Sequence, residues 1–209
     1  MSLRERHKDS RRSRILEAAT ELFLLRGFDS VKAEEIADRA EVSVGTFYNY
    51  FGGKNELMLR LSTLENERVA MLAREYDVTA DRPVAETFSA LMAKFFQAES
   101  MMLRQDLWRK GFALAFADVK LPEARAFLSS DIALRQIVID AARALQTGGR
   151  LRADLDCEAF GAALYNTANA LFLEFTWDDA QTIDGLNARI ASHTQALVSL
   201  AMARGPGQL

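Results

Sequence analysis

Residues 42–54 run Val-Ser-Val-Gly-Thr-Phe-Tyr-Asn-Tyr-Phe-Gly-Gly-Lys. Ser43 is a good helix N-cap, because its hydroxyl can accept from the free N–H groups of the first turn, and residues 44–51 then make two turns of helix. Phe47 and Phe51 are four apart and share one face, with Val42 able to join them just before the cap. That face is the inside. Ser43, Val44, Gly45, Thr46, Tyr48, Asn49 and Tyr50 make up the rest of the helix. Their hydroxyls, phenols and amide suit phosphate oxygens and base edges of a DNA duplex. Gly45 removes a side chain near the helix start and lets the backbone approach a partner closely.

Just upstream, residues 34–40 (Glu-Glu-Ile-Ala-Asp-Arg-Ala) carry Ile36, Ala37 and Ala40 at helical spacing. Only a short turn separates them from Ser43, so the two short helices form a helix-turn-helix. The series Ile36-Ala37, Ala40, Val42-Ser43, Gly45-Thr46, Tyr48, Tyr50-Phe51, Lys54 and Leu57 resembles the DNA-binding domain of the TetR family of repressors. The chain departs from the family pattern at two points. Val31-Lys32 stands where the family has a small hydroxyl pair, which moves the expected cap to Ser30 and makes Lys32 a candidate phosphate contact. Glu41 stands where the turn commonly has glycine, and must either take a left-handed backbone or shift the turn.

Working outward, residues 13–26 place Ile15, Ala18, Ala19, Leu22 and Phe23 on one helical face, closed by Gly27. Before them lies a basic arm: residues 1–14 hold six Arg or Lys against Glu5 and Asp9. This arm is either a solvated tail or a strand-tracking contact for DNA. The overall net charge of -3 conceals it, since residues 1–60 hold 11 Lys and Arg against 10 Asp and Glu, and the remainder 15 against 19. After Gly52-Gly53, Lys54 opens a long helix with Leu57, Leu61, Leu64 and Met71 as its apolar positions, and its ammonium is a further candidate phosphate contact.

Further along, Pro83, Pro122, Asp156 and Thr182 suit helix starts, and Gly148-Gly149 a helix end. No stretch alternates with a period of two. The expected fold is all-α with about nine helices: a three-helix helix-turn-helix domain over residues 1–53 and a larger helical bundle over residues 54–209. A chain of 209 residues that is 49% hydrophobic can bury such cores. No apolar run approaches the roughly 20 residues needed to span a bilayer, and the first residues lack the apolar segment of a secretory signal, so a cytoplasmic protein without membrane association is expected. The single cysteine, Cys157, excludes an internal disulfide.

In the second domain the resemblance implies a variable ligand chamber and a homodimer through the last two helices. Met92, Phe95, Phe96, Met101, Met102, Trp108, Phe112, Phe116 and Phe127 form a dense set of large, adaptable apolar side chains suited to an apolar or aromatic effector. Asn166 and Asn169, three apart, are candidates to orient it, or equally to hydrogen-bond within the core or a dimer interface. Phe160, Leu164, Ala168, Leu171 and Phe175, with Leu186, Ile190, Leu197 and Leu200, are candidates for the shared face of two chains, the alternative being packing within one chain. No glycine-rich phosphate loop, nucleophile with a histidine in reach, or metal-ligand set stands out, so neither an enzyme nor a cofactor is expected. The function expected is a regulator, most simply a repressor, released from a palindromic operator by a small effector. The competing expectation is an architectural DNA-binding protein without an effector.

Overall fold

The computed structural model describes residues 3–96 and 104–202. Its helices are α1 (Leu3–Arg26), α2 (Ala33–Arg39), α3 (Val44–Tyr50), α4 (Lys54–Arg74), α5 (Val84–Phe96), α6 (Gln105–Ala117), α7 (Pro122–Thr147), α8 (Cys157–Trp177) and α9 (Ile183–Ala201). Among the described residues no strand occurs, only an isolated bridge between Leu151 and Met202. The all-helical expectation holds. Met101 and Met102 lie outside the described residues.

Local chemistry sets the helix ends. The side chains of Ser43, Asp156 and Thr182 accept from the backbone N–H of Thr46, Ala159 and Gly185, closing the first turns of α3, α8 and α9. Gly27 and Gly149 take φ of 78° and 73° at the ends of α1 and α7, where a left-handed residue redirects the chain. The cap of α2 is Lys32 rather than Ser30: its extended backbone leaves an N–H that the Glu35 carboxylate accepts at 2.8 Å, half of a capping box. The first helix begins at Leu3, ten residues before the start expected from the apolar pattern, because the basic arm continues it as an exposed helix.

The chain packs as two compact units, residues 1–65 with 103–128, and residues 66–102 with 129–209. The division cuts α4 and α7 internally, unlike a division at Gly53. In the first unit, α1 packs on α2 and α2 on α3. Ile15, Ala19, Phe23, Ile36, Ala37, Phe47 and Leu57 form its core, all fully buried. Gly111 of α6 lies so close to α4 that a Cβ there would sit 2.6 Å from Ser62 Oγ. Trp108, Phe112 and Phe127 form a ring cluster with centroids 5.6–6.3 Å apart.

In the second unit α5 packs on α8 and α9, and α8 on α9. Gly161 brings α8 against α7, where a Cβ would lie 2.6 Å from Ile139 Cα. Leu164, Ala168, Leu171, Phe175, Leu186 and Ile190 are buried within the single chain, so most of the apolar face assigned to a partner is this chain's own core. Leu197 is half-buried and Leu200 exposed. Outward residues of α8 and α9 include the small or polar Ala163, Asn166, Ala170, Ala188, Ser192 and Ala196, along with the large Trp177 and Leu200. Met71 of α4 is also exposed, and Val69, Ala70 and Ala73 supply the buried face in its place.

Candidate nucleic-acid interface

Helix α3 is held from below. Phe47 is fully buried and Phe51 nearly so, their rings 6.3 Å apart, while Tyr48, Asn49, Ser43 and Gly45 are exposed. Tyr48 meets the Phe47 ring edge-on at 5.3 Å, which supports its phenol at the surface. Val44, Thr46 and Tyr50 are half-buried. Ser43 Oγ and Thr46 Oγ1 lie 2.8 Å apart, so one hydroxyl of this pair is already engaged in capping. The turn before α3 is tight: Val42 N–H donates to Ala37 O at 3.0 Å, and Glu41 adopts φ 54°, the left-handed geometry that its position demands. The Glu41 carboxylate reaches Arg14 of α1 at 3.4 Å.

Two further groups fix this domain. Arg26 bonds both oxygens of Glu35 at 2.8 and 2.9 Å and also donates to Ser30 O, tying the end of α1 to the start of α2. The Arg26 bonds, with the Lys32 N–H, hold the Glu35 carboxyl down at about 2. The Lys54 ammonium donates to the carbonyl oxygens of Phe28 and Val31, each at 2.8 Å, and lies 4.3 Å from the centre of the Phe28 ring. Burial lowers its pKa. Two of its three N–H donors are thus spent within the protein, a role that motif spacing did not show. Arg104, the N-cap of α6, donates to Leu24 O, and Lys110 of α6 pairs with Asp29 at 2.9 Å and lies 4.8 Å from the same Phe28 ring.

The basic arm joins the same surface. Lys8, Arg12, Glu5 and Asp9 of α1 line, with Asn49 and Tyr50, a cleft of about 570 Å³. Arg12 also lies 5.8 Å from the Phe51 ring centre. Lys32, the other candidate cation, is exposed at the start of α2.

Residues 15–61 match the profile of the bacterial regulatory proteins of the tetR family. Residues 15–61 thus form a DNA-binding domain of the type found in that family. Among curated relatives it is 41% identical over 59 residues to the HTH-type transcriptional repressor KstR of Rhodococcus jostii, a match covering 28% of each chain. It is 28% identical over 156 residues to the HTH-type transcriptional regulator TcmR of Streptomyces glaucescens, covering 74% of this chain and 66% of that one. The KstR match thus spans little over a quarter of that relative's length. The fold extends further. A TetR-family regulator of Mesorhizobium loti superposes with a TM-score of 0.74 at 18% identity, covering 97% of this chain and all of that one. FadR of Thermus thermophilus, solved in complex with lauroyl-CoA, gives 0.62 at 24% identity, covering 95% and 98%.

The residues proposed for an effector fall in both units. Trp108 and Phe127 are buried in the first, Phe112 is half-buried, and Phe116 is 59% exposed at the end of α6, where it stacks on Phe112 and contributes little to any enclosed chamber. Met92, Phe95 and Phe96 are buried in the second. Asn166 and Asn169 part company: Asn166 is exposed, while Asn169 is half-buried and points its amide at Asp131. Among the described residues no helix is long and apolar enough to cross a membrane.

Proposed function

We propose that this chain is a cytoplasmic transcriptional repressor of the TetR family that reads duplex DNA with α3 and leaves it when a small apolar or aromatic effector binds. The observation that carries this is the split of α3 into a locked inner face, Phe47 and Phe51, and an outer face on which Tyr48 and Asn49 are exposed beside Ser43, Gly45 and Thr46. Such a helix, second of a helix-turn-helix, fits a major groove. Asn49 supplies the amide geometry that pairs with an adenine edge, Tyr48 presents its exposed phenol to the base edges beside it, and Tyr50, Thr46 and the α3 backbone address phosphates. Lys32 and the remaining Lys54 donor lie on the flanking backbone. Lys8 and Arg12 extend that track along α1.

Two half-sites require two copies. The small outward residues of α8 and α9, Ala163, Ala170, Ala188 and Ala196 among them, permit close helix approach, and Leu200 adds apolar area. A homodimer through these helices calls for a palindromic operator. That FadR, of similar fold, is solved with lauroyl-CoA, whose acyl chain is apolar, supports an effector with an apolar body. Helix α4 runs from Lys54, on the DNA-reading domain, to Arg74 in the second unit, and is the element whose tilt would carry the signal.

The test is binding of labelled duplex DNA across a salt series. Affinity should fall steeply with salt, and Asn49→Ala should change which sequences bind. Binding that is absent at low salt contradicts the proposal.

A further inference from the structure

Asp131 was not singled out by sequence, yet it is the polar centre of the second unit. Tyr165 of α8 donates its phenol proton to Asp131 Oδ1 at 2.7 Å, and Asn169 Nδ2, one turn on, approaches the same oxygen at 3.4 Å. Burial is the main cause that raises the Asp131 pKa, opposed by the Tyr165 bond and by the charge of Arg135. The Tyr165 hydroxyl is itself driven well above its ordinary value by burial and then by Asp131, so it remains a donor.

The surroundings are aromatic. The Phe95 ring stands edge-on to Tyr165 at 6.0 Å, and Phe96 lies 5.0 Å from Phe172, which occupies the turn after Asn169. One face of α8 therefore presents Tyr165, Asn169 and Phe172 together, opposite the end of α5 and beside Asp131 of α7. Both polar partners converge on Oδ1. Among the described residues Oδ2 accepts no hydrogen bond, and Asp131 is only half-buried. A carboxylate held in place by one oxygen, with the other left without a partner among the described residues, can accept from an external donor.

We propose that Asp131 is the polar anchor of the effector site, and that Oδ2 accepts from a hydroxyl or ammonium group on an otherwise apolar or aromatic molecule. This rests on the effector reading above and narrows it to donor-bearing ligands. An anionic head would face a carboxylate and lose affinity. Tyr165 and Asn169 act as positioning residues, fixing the carboxylate so that its free oxygen faces the ligand.

The experiment uses calorimetry on the full chain with three probes: 4-hexylphenol, its methyl ether 4-hexylanisole, and lauroyl-CoA. The phenol should bind at least about tenfold more tightly than the ether, as expected for a hydrogen bond to a charged group. Asp131→Ala should erase that difference, and Tyr165→Phe should shrink it. Asp131→Asn, of the same shape, guards against misfolding: its circular dichroism should match the native chain while phenol affinity falls. Equal affinity for phenol and ether, preference for lauroyl-CoA, no binding of the phenol, or a preference that survives Asp131→Ala each overturns the proposal. Duplex DNA binding by the unliganded chain is measured alongside. Its absence defeats the repressor reading, whereas its presence with no phenol preference defeats only the anchor.

Discussion

The Lys54 ammonium lies 4.3 Å from the centre of the Phe28 ring and donates to the Phe28 carbonyl oxygen at 2.8 Å. With a second bond to Val31 O, it pins the loop between α1 and α2 from the first residue of α4. Replacing Lys54 by Met should lower stability by about 1–3 kcal/mol, since two bonds from a charged donor are lost at a half-buried site. Urea denaturation measures this. DNA affinity should fall as well, and the salt slope should become shallower by about one unit, because the third N–H is proposed to face a phosphate. An unchanged slope with reduced stability would leave Lys54 a purely structural residue.

Glu41 carries a left-handed backbone that a side chain disfavours. Glu41→Gly removes that strain, and gives up only an exposed 3.4 Å pair with Arg14. After the entropy that glycine adds to the unfolded chain, the net gain should be about 0.5–1 kcal/mol. Thermal unfolding should show a higher midpoint with DNA binding retained. A lower midpoint would mean that the Arg14 contact outweighs the strain.

The pH dependence of stability should carry the signature of Glu35. Its folded pKa, about 2, lies below the ordinary 4.5 because Arg26 and the Lys32 N–H stabilise the ionised form. A depressed carboxyl contributes stability that is fully present above the unfolded value and is lost as pH falls toward the folded one. The difference in melting temperature between the native chain and Glu35→Gln should therefore be constant above about pH 5 and shrink between there and about pH 2. It should be small, and smaller in high salt, because the pair is exposed. A difference that grows on acidification contradicts this assignment.

The helix-turn-helix half was legible in the sequence because its signals are local. Ser43 caps within its own first turn, Phe47 and Phe51 mark one face by spacing alone, and Glu41 declares its turn by being in glycine's place. The long α1 was not, since Arg and Lys residues without apolar spacing give no sign that a helix continues through them. The second unit was read less well for a related reason. Apolar stripes on α8 and α9 announce burial but not against what, so Leu171 and Ile190 appeared as interface while they fill the chain's own core. Asp131 was missed because its meaning comes from Tyr165, 34 residues away, and no local pattern links them.

The basic arm gives a test of its own. Lys8→Gln combined with Arg12→Gln should leave the fold intact, because both side chains are exposed, and should reduce the salt slope of DNA binding by about two units. The enriched sequence should not change, since these residues border the reading face without carrying base-specific geometry. If sequence preference shifts instead, the arm reads bases.

The most direct measurement is selection of duplexes by the intact chain from a random pool at low salt, followed by sequencing of what it retains. A reader with one α3 helix per chain, acting as a two-fold dimer, should enrich a palindrome whose half-site centres lie about one helical turn or a multiple apart. Tyr48→Ala and Asn49→Ala should each blur specific positions within both half-sites. Retention of no duplex, or of sequences without symmetry that are indifferent to Tyr48 and Asn49, would contradict it.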